Sequence, residues 1–228
     1  MAGRGRGLGP GAAALVLGLL GVVLAGGAWL YGRGAYGSGT LSSPSMEPAY
    51  HQGDRIVWER VDGSEVRRGD VAMLSMPGRY GTGGVVMQRV IGVGGDRVAC
   101  CTAVGAEARV TVNGGPVTEP YVHQGDADGV NRSYDVKVPE GRLFLLGDRR
   151  SDARDSRFFA SDHGGTVPVD TVRGRVTDGR TGPALVGTAL LAGGALVLVG
   201  GGLGIGFRVV RRRRAPVVPP APWPVRSR

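Results

Sequence analysis

Lysine occurs once in the 228 residues, at Lys137, and histidine three times, at His51, His123 and His163. Any chemistry that needs a side chain to take up a proton near neutral pH therefore has few places to find one. Cysteine is limited to the adjacent pair Cys100 and Cys101. Neither this pair nor the scattered histidines has the spacing of a zinc cluster, so no metal and no cofactor are expected. Neighbouring Cα atoms lie about 3.8 Å apart, closer than an ordinary disulfide prefers. Two small strand side chains facing opposite sides is the favoured reading of the pair, with a vicinal bridge as the alternative.

Acidic residues are missing from both ends. Residues 1–31 carry Arg4 and Arg6, and residues 183–228 carry Arg208, Arg211, Arg212, Arg213, Arg214, Arg226 and Arg228, with no Asp or Glu beside them. These arginines account for the formal net charge of +9, and residues 32–182 are neutral, with 19 basic and 19 acidic side chains. A nucleic-acid binder is expected to carry its basic patch on the folded domain, so no nucleic-acid partner is expected here. Basic tails beside apolar runs point instead to a lipid bilayer.

Two uncharged apolar runs supply that context, at residues 11–31 and 183–207. Each exceeds the roughly 20 residues that a helix needs to cross a membrane. Gly and Ala are abundant in both, which membrane helices tolerate better than soluble ones. The first run could instead be a cleavable signal peptide, with small residues over 25–28, but its length and the second run favour an anchor. Flanking arginines put both termini in the cytoplasm. The expected organisation is a basic tail at 1–10, a membrane helix at 11–31, an extracytoplasmic domain at 32–182, a second membrane helix at 183–207 and an Arg/Pro-rich cytoplasmic tail at 208–228.

Within 32–182 the pattern is short alternating or β-branched runs between Gly and Asp, with almost no helical period. Strands are expected at 55–61, 71–75, 84–92, 97–101, 109–113, 142–146 and 172–176, and Asn113-Gly114 marks a hairpin. Residues 122–134 read as an exposed loop, and 215–225, with five prolines, as a flexible tail. The fold class is mainly β, anchored by two transmembrane helices.

Leu41-Ser42-Ser43-Pro44-Ser45-Met46-Glu47-Pro48 sets two hydroxyls two residues apart on backbone stiffened by the intervening proline. Three further stretches follow it in order: Arg67-Arg68-Gly69-Asp70, then Gln88-Arg89-Val90-Ile91-Gly92-Val93-Gly94-Gly95-Asp96, then the run from Gly147-Asp148-Arg149-Arg150 through Ala153 to Asp155-Ser156-Arg157. The set resembles the SxSMxP, RRGD, KRVIGLPGD and GDNRxxSxDSR boxes of the type I signal peptidases, membrane-bound serine endopeptidases that remove signal peptides from exported preproteins. The resemblance covers roughly residues 12–176, and an ordered set of boxes is far more specific than any one of them.

The resemblance implies a β-barrel-like pair of sheets on a bacterial cell membrane, with signal peptides of secreted preproteins as partners. It implies Ser45 as nucleophile, and Ser43 as a hydroxyl donor beside the Ser45 N–H in an oxyanion hole. Leu41, Ser42, Met46, Val86 and Met87 would line shallow pockets for small residues, with a substrate strand lying along the edges near Leu41 and Val86. Arg89, Asp148, Asp155 and Arg157 would form salt bridges behind the site. The general base of the family is a lysine at the position of Gln88, and a neutral amide cannot take the Ser45 proton. The serine that orients that lysine corresponds to Ala153, with Ser151 displaced by two positions. Arg149 replaces a polar residue and reads as surface variation. Lys137 reads as a solvated amine, His51 as a turn residue, and His123 and His163 as loop residues, so none replaces the base. Two expectations stand together: an active peptidase, or an impaired relative that binds preproteins or an active paralogue without efficient cleavage.

Overall fold

The computed structural model describes residues 9–81, 84–102, 107–177, 179 and 181–213. The first eight residues and the proline-rich tail expected at 215–225 lie outside the described residues. The chain forms two compact units, one of helices and one of sheet, divided near residues 32 and 181.

The helical unit holds α1, Pro10–Ala35, and α3, Thr181–Arg213, both long and apolar enough to cross a membrane. Each outruns its apolar stretch. Backbone hydrogen bonding propagates at little cost once a helix is nucleated, and the arginines that extend α3 are good helix formers. Glycines bring the two backbones together: a Cβ on Gly21 would lie 2.6 Å from the Gly193 carbonyl, and one on Gly200 would lie 2.6 Å from the Gly18 nitrogen. Close approach through small residues is how helices associate where lipid removes the hydrophobic driving force.

The other unit is built on two antiparallel β-sheets joined by turns and short helical segments. Its larger sheet contains β1 (Tyr36–Thr40), β2 (Arg55–Glu59), β3 (Val71–Ser75), β4 (Val85–Val93), β9 (Arg142–Leu146), β10 (Val167–Pro168) and β11 (Val172–Val176), in the order β1-β2-β11-β3-β4-β9-β10, with every pair antiparallel. The smaller sheet contains β5 (Arg97–Cys100), β6 (Thr111–Val112), β7 (Gly115–Pro116) and β8 (Tyr134–Lys137), in the order β7-β6-β5-β8. One helical turn, α2, Pro77–Tyr80, lies between β3 and β4.

The strand β9 shows how the larger sheet is buried on both faces away from its β1–β2 edge. Phe144 and Leu146 pack with Ile91, Val98 and Val138 where the sheets meet, while Leu143 and Leu145 pack with Ala72, Leu74 and Val90 on the opposite face. The two-residue period sends alternate side chains to different cores, so the strand reads as an unbroken apolar run. Each such side chain contributes on the order of 1.5–3 kcal/mol by leaving water.

Several expectations change. The strand at 36–40, Tyr-Gly-Ser-Gly-Thr, has no apolar alternation and was not expected; β2 supplies the pairing that holds it at the sheet edge. The strand expected at 109–113 shrinks to Thr111–Val112, and at its far end Asn113 and Gly114, at φ 54° and 82°, make the positive-φ hairpin turn. Residues 122–134 are not freely exposed. Val122 and Ala127 are buried, and the carbonyls of Ala127 and Asp128 accept from Arg150 and Arg157. Cys100 and Cys101 do not face opposite sides but are joined in a vicinal disulfide, at the point where β5 ends and strand alternation no longer separates them.

Candidate active site

A cleft of about 450 Å³ opens in the β unit, and the serine stretch forms one wall of it. The stretch leaves β1 and is pinned at its start by Leu41, whose N–H donates to the Asp54 carbonyl at 2.9 Å and whose carbonyl accepts from Gly53 at 2.8 Å. The Gln52 amide donates to the Ser42 carbonyl at 3.0 Å. Farther along, the Ser45 carbonyl accepts from the Arg149 N–H at 3.0 Å, and the Arg149 guanidinium pairs with Glu47 at 2.8 Å. Arg149 is therefore not surface variation. It ties the fourth box to the serine stretch at Ser45 and at Glu47.

Ser43 and Ser45 both line the cleft, and the Ser45 N–H donates to Ser43 Oγ at 3.3 Å. The two expected oxyanion donors are thus immediate neighbours. Leu41, Ser42, Val86 and Met87 line the same cleft, together with Ile56, Trp58 and Met73. Met46 does not line it. The thioether is fully buried against Ile56, Val71, Met73 and Met87, so Met46 supports the floor from below and offers no pocket surface. Ser45 and Met46 sit together in the turn at 44–47, closed by the Glu47 N–H to Pro44 carbonyl bond, with Ser45 at the cleft and Met46 in the core.

Gln88 sits in mid-strand on β4, opposite Ala72 of β3, and is 4% exposed. Its Nε2 donates to the Arg154 carbonyl at 2.8 Å and to the Tyr80 hydroxyl at 3.0 Å, while its Oε1 is buried without a partner. Ala153 is buried at the position of the expected orienting serine, and a Cβ on Gly147 would collide with it. Ser151 is exposed and lies outside the cleft lining. The ionisable groups that do line the cleft are Tyr80, Asp152 and Arg154. Burial, opposed by the hydrogen bond from Gln88, raises the Tyr80 pKa, so the phenol stays protonated near neutral pH.

The nitrogens considered as replacement bases are elsewhere. Lys137 is exposed on β8 of the smaller sheet, His51 is exposed beside Asp54, and His163 is exposed and bonded to Asp162 at 2.8 Å. His123 donates its N–H to the Asp148 carbonyl at 3.1 Å and is not part of the cleft wall.

Behind the cleft two ion pairs brace the sheet. Arg89 grips Asp148 through two bonds of 2.8 and 2.5 Å, and Tyr121 covers its guanidinium at 3.8 Å. Burial holds the Asp148 carboxyl above its ordinary pKa, and the Arg89 bonds oppose that shift. Arg157 grips Asp155 through bonds of 2.8 and 2.7 Å, with both side chains buried, and donates to the Arg150 carbonyl at 2.7 Å. A third pair was not foreseen from the sequence. Arg150 is 1% exposed and binds Glu119 at 2.5 Å, which fastens the segment before residue 122 to the fourth box. Tyr80 and Arg154 were also not foreseen, for neither belongs to a box residue with an expected role.

Comparison with known proteins places these elements in one family. The family model described as signal peptidase, peptidase S26, matches residues 15–178. A signal peptidase I of Bacillus licheniformis is 34% identical over 126 residues, covering 51% of this chain and 63% of that protein. A probable signal peptidase I of Mycobacterium leprae is 28% identical over 192 residues, covering 59% of this chain and 65% of that protein. The chain thus spans less than two thirds of the length of these curated relatives. The crystal structure of a signal peptidase I from Enterococcus faecalis is 26% identical and matches with a TM-score of 0.38, covering 50% of this chain and 97% of that one. Since the family match runs from α1 past the last strand and takes in all four boxes, this chain is a member of the signal peptidase family, peptidase S26.

Proposed function

We propose that this chain is a membrane-anchored serine endopeptidase of the signal peptidase I type, which removes signal peptides from exported preproteins by cleavage after small residues. The observation that carries this reading is the sharing of one cleft by Ser45, Ser43 and the small or apolar walls Leu41, Ser42, Val86 and Met87. Ser45 is the nucleophile. Its own N–H and the Ser43 hydroxyl stabilise the oxyanion once substrate displaces the bond between them. The substrate segment lies extended between the edge near Leu41 and the start of β4 near Val86, and backbone hydrogen bonds hold it there. The helices α1 and α3 cross a bacterial cell membrane twice, with both termini in the cytoplasm and residues 32–182 on the far side.

A second reading is favoured by one observation, the amide of Gln88 in the cleft. In this reading the chain binds preproteins, or works beside an active paralogue, without efficient cleavage. Loss of the base costs a serine protease on the order of 10⁴ to 10⁶ in turnover, yet binding and the oxyanion hole survive. The deciding experiment incubates the full chain in lipid with a preprotein carrying an Ala-x-Ala cleavage site. Cleavage that Ser45→Ala abolishes supports the peptidase. Retained preprotein binding with no cleavage above the Ser45→Ala background supports the second reading. Neither binding nor cleavage would overturn both.

A further inference from the structure

The amide of Gln88 is held in one orientation. The Arg154 carbonyl can only accept, so the side of the amide facing it must be the NH₂ group, and a flipped amide would set two carbonyl oxygens against each other. The second hydrogen of that NH₂ goes to the Tyr80 hydroxyl, which accepts at 3.0 Å. Residue 88 therefore meets two acceptors, placed 8 and 66 residues away in sequence.

The two residues that supply these acceptors also share one aromatic neighbour. Phe159 meets Tyr80 edge-on with centroids 5.7 Å apart and lies under the guanidinium groups of Arg79 at 4.7 Å and Arg154 at 5.2 Å. Arg79 in turn locks α2, the single turn that carries Tyr80. It is 8% exposed and donates to the Asp162 carboxylate at 2.7 Å, to the Gly165 carbonyl at 2.7 Å and to the Thr166 carbonyl at 2.9 Å. An isolated turn of four residues has no stability of its own in water, so this clamp decides where the Tyr80 hydroxyl stands.

We propose that the Tyr80 hydroxyl and the Arg154 carbonyl form an acceptor socket that positions the side chain of residue 88 in the cleft, in place of the serine absent at Ala153. The socket demands a donor with at least two hydrogens, a requirement that a glutamine amide meets and that a lysine amine meets equally. Tyr80 is a positioning residue. This inference rests on the proposed function for its kinetic consequence, but the socket itself can be read without turnover.

The test uses the full chain in lipid and has two arms. In the first, Gln88→Lys is compared with Gln88→Lys/Ala153→Ser and Gln88→Lys/Tyr80→Phe on an Ala-x-Ala preprotein. The socket predicts that Gln88→Lys cleaves within about threefold of the variant with the added serine, whereas Tyr80→Phe lowers kcat by about 10-fold or more. The acidic limb of the pH profile should also move to lower pH in the Tyr80→Phe variant, because an acceptor favours the ammonium and its loss favours the amine. Cleavage that appears only when Ala153→Ser is added would overturn the socket. In the second arm, amide exchange is followed on ¹⁵N-glutamine-labelled native chain, whose only glutamines are Gln52, Gln88 and Gln124. Tyr80→Phe should speed exchange of the Gln88 side-chain amide roughly 5- to 10-fold, the size of one lost hydrogen bond, and leave Gln124 unchanged. Unchanged Gln88 exchange overturns the proposal. If no variant cleaves but Gln88 exchange responds, the socket stands and the proposed peptidase activity fails.

Discussion

At the scale of single residues, charge burial separates contacts that hold the domain from contacts that decorate it. Asp148 is fully buried and gripped by Arg89, whereas Asp135, paired with Arg97 on the smaller sheet, is half exposed. Removing one partner of a buried pair strands the other charge. Asp148→Asn should therefore lower unfolding stability by roughly 3–5 kcal/mol, measured as a fall in the urea midpoint, while an exposed pair is screened by water and contributes little. Asp135→Asn should leave the midpoint almost unmoved; equal effects of the two substitutions would contradict this assignment. The same scale shows what a residue pattern can reveal. Gln88 stands out in the sequence because a box surrounds it, but Tyr80 belongs to no box, and Arg154 acts on Gln88 through a backbone carbonyl that every residue type shares. No inspection of side-chain identities finds a contribution of that kind.

At the scale of elements, the strands that the sequence shows best are those whose apolar pattern meets a core. The strands β3, β9 and β11 fall at 71–75, 142–146 and 172–176 as expected: β3 and β9 carry mostly apolar runs, and β11 alternates outward arginines with Val172, Gly174 and Val176. By contrast β1, a tyrosine followed by Gly, Ser, Gly and Thr, exists through pairing with β2, which is information held by another segment. The element most dependent on distant partners is α2, held through Arg79 to Asp162. The hydrogen bond from His163, and then Arg79, lower the Asp162 pKa from its ordinary value to about 2. A carboxylate whose pKa is depressed by folding contributes stability that is complete above its unfolded pKa, roughly 3.9, and is lost as pH falls through the folded one. Acid unfolding of the wild-type chain should thus show a component between about pH 4 and 2 that Asp162→Asn removes. An identical acid profile for the variant, followed by tryptophan fluorescence, would show that Asp162 does not anchor α2.

At the scale of the whole molecule, two acid-free ends flank a neutral centre, and the two apolar helices lie next to those ends. The proposed two-pass arrangement predicts that a reporter fused after Arg228 is active only in the cytoplasm, while a cysteine introduced at exposed Gln124 is labelled from outside intact cells; the reverse pattern would reject it. The sequence by itself determined family membership, the mainly β class and the two membrane-length helices, because ordered boxes, two-residue alternation and uninterrupted apolar length are all local in the chain. Only the tertiary structure decided that Met46 supports the cleft from below, that Arg149 braces Ser45, that Cys100 and Cys101 are joined, and that Tyr80 and the Arg154 carbonyl hold Gln88. Most of these contacts join residues far apart in the chain, and several run through backbone atoms whose chemistry is the same at every position. Their geometry is set by packing, and packing is where a one-dimensional pattern stops being informative.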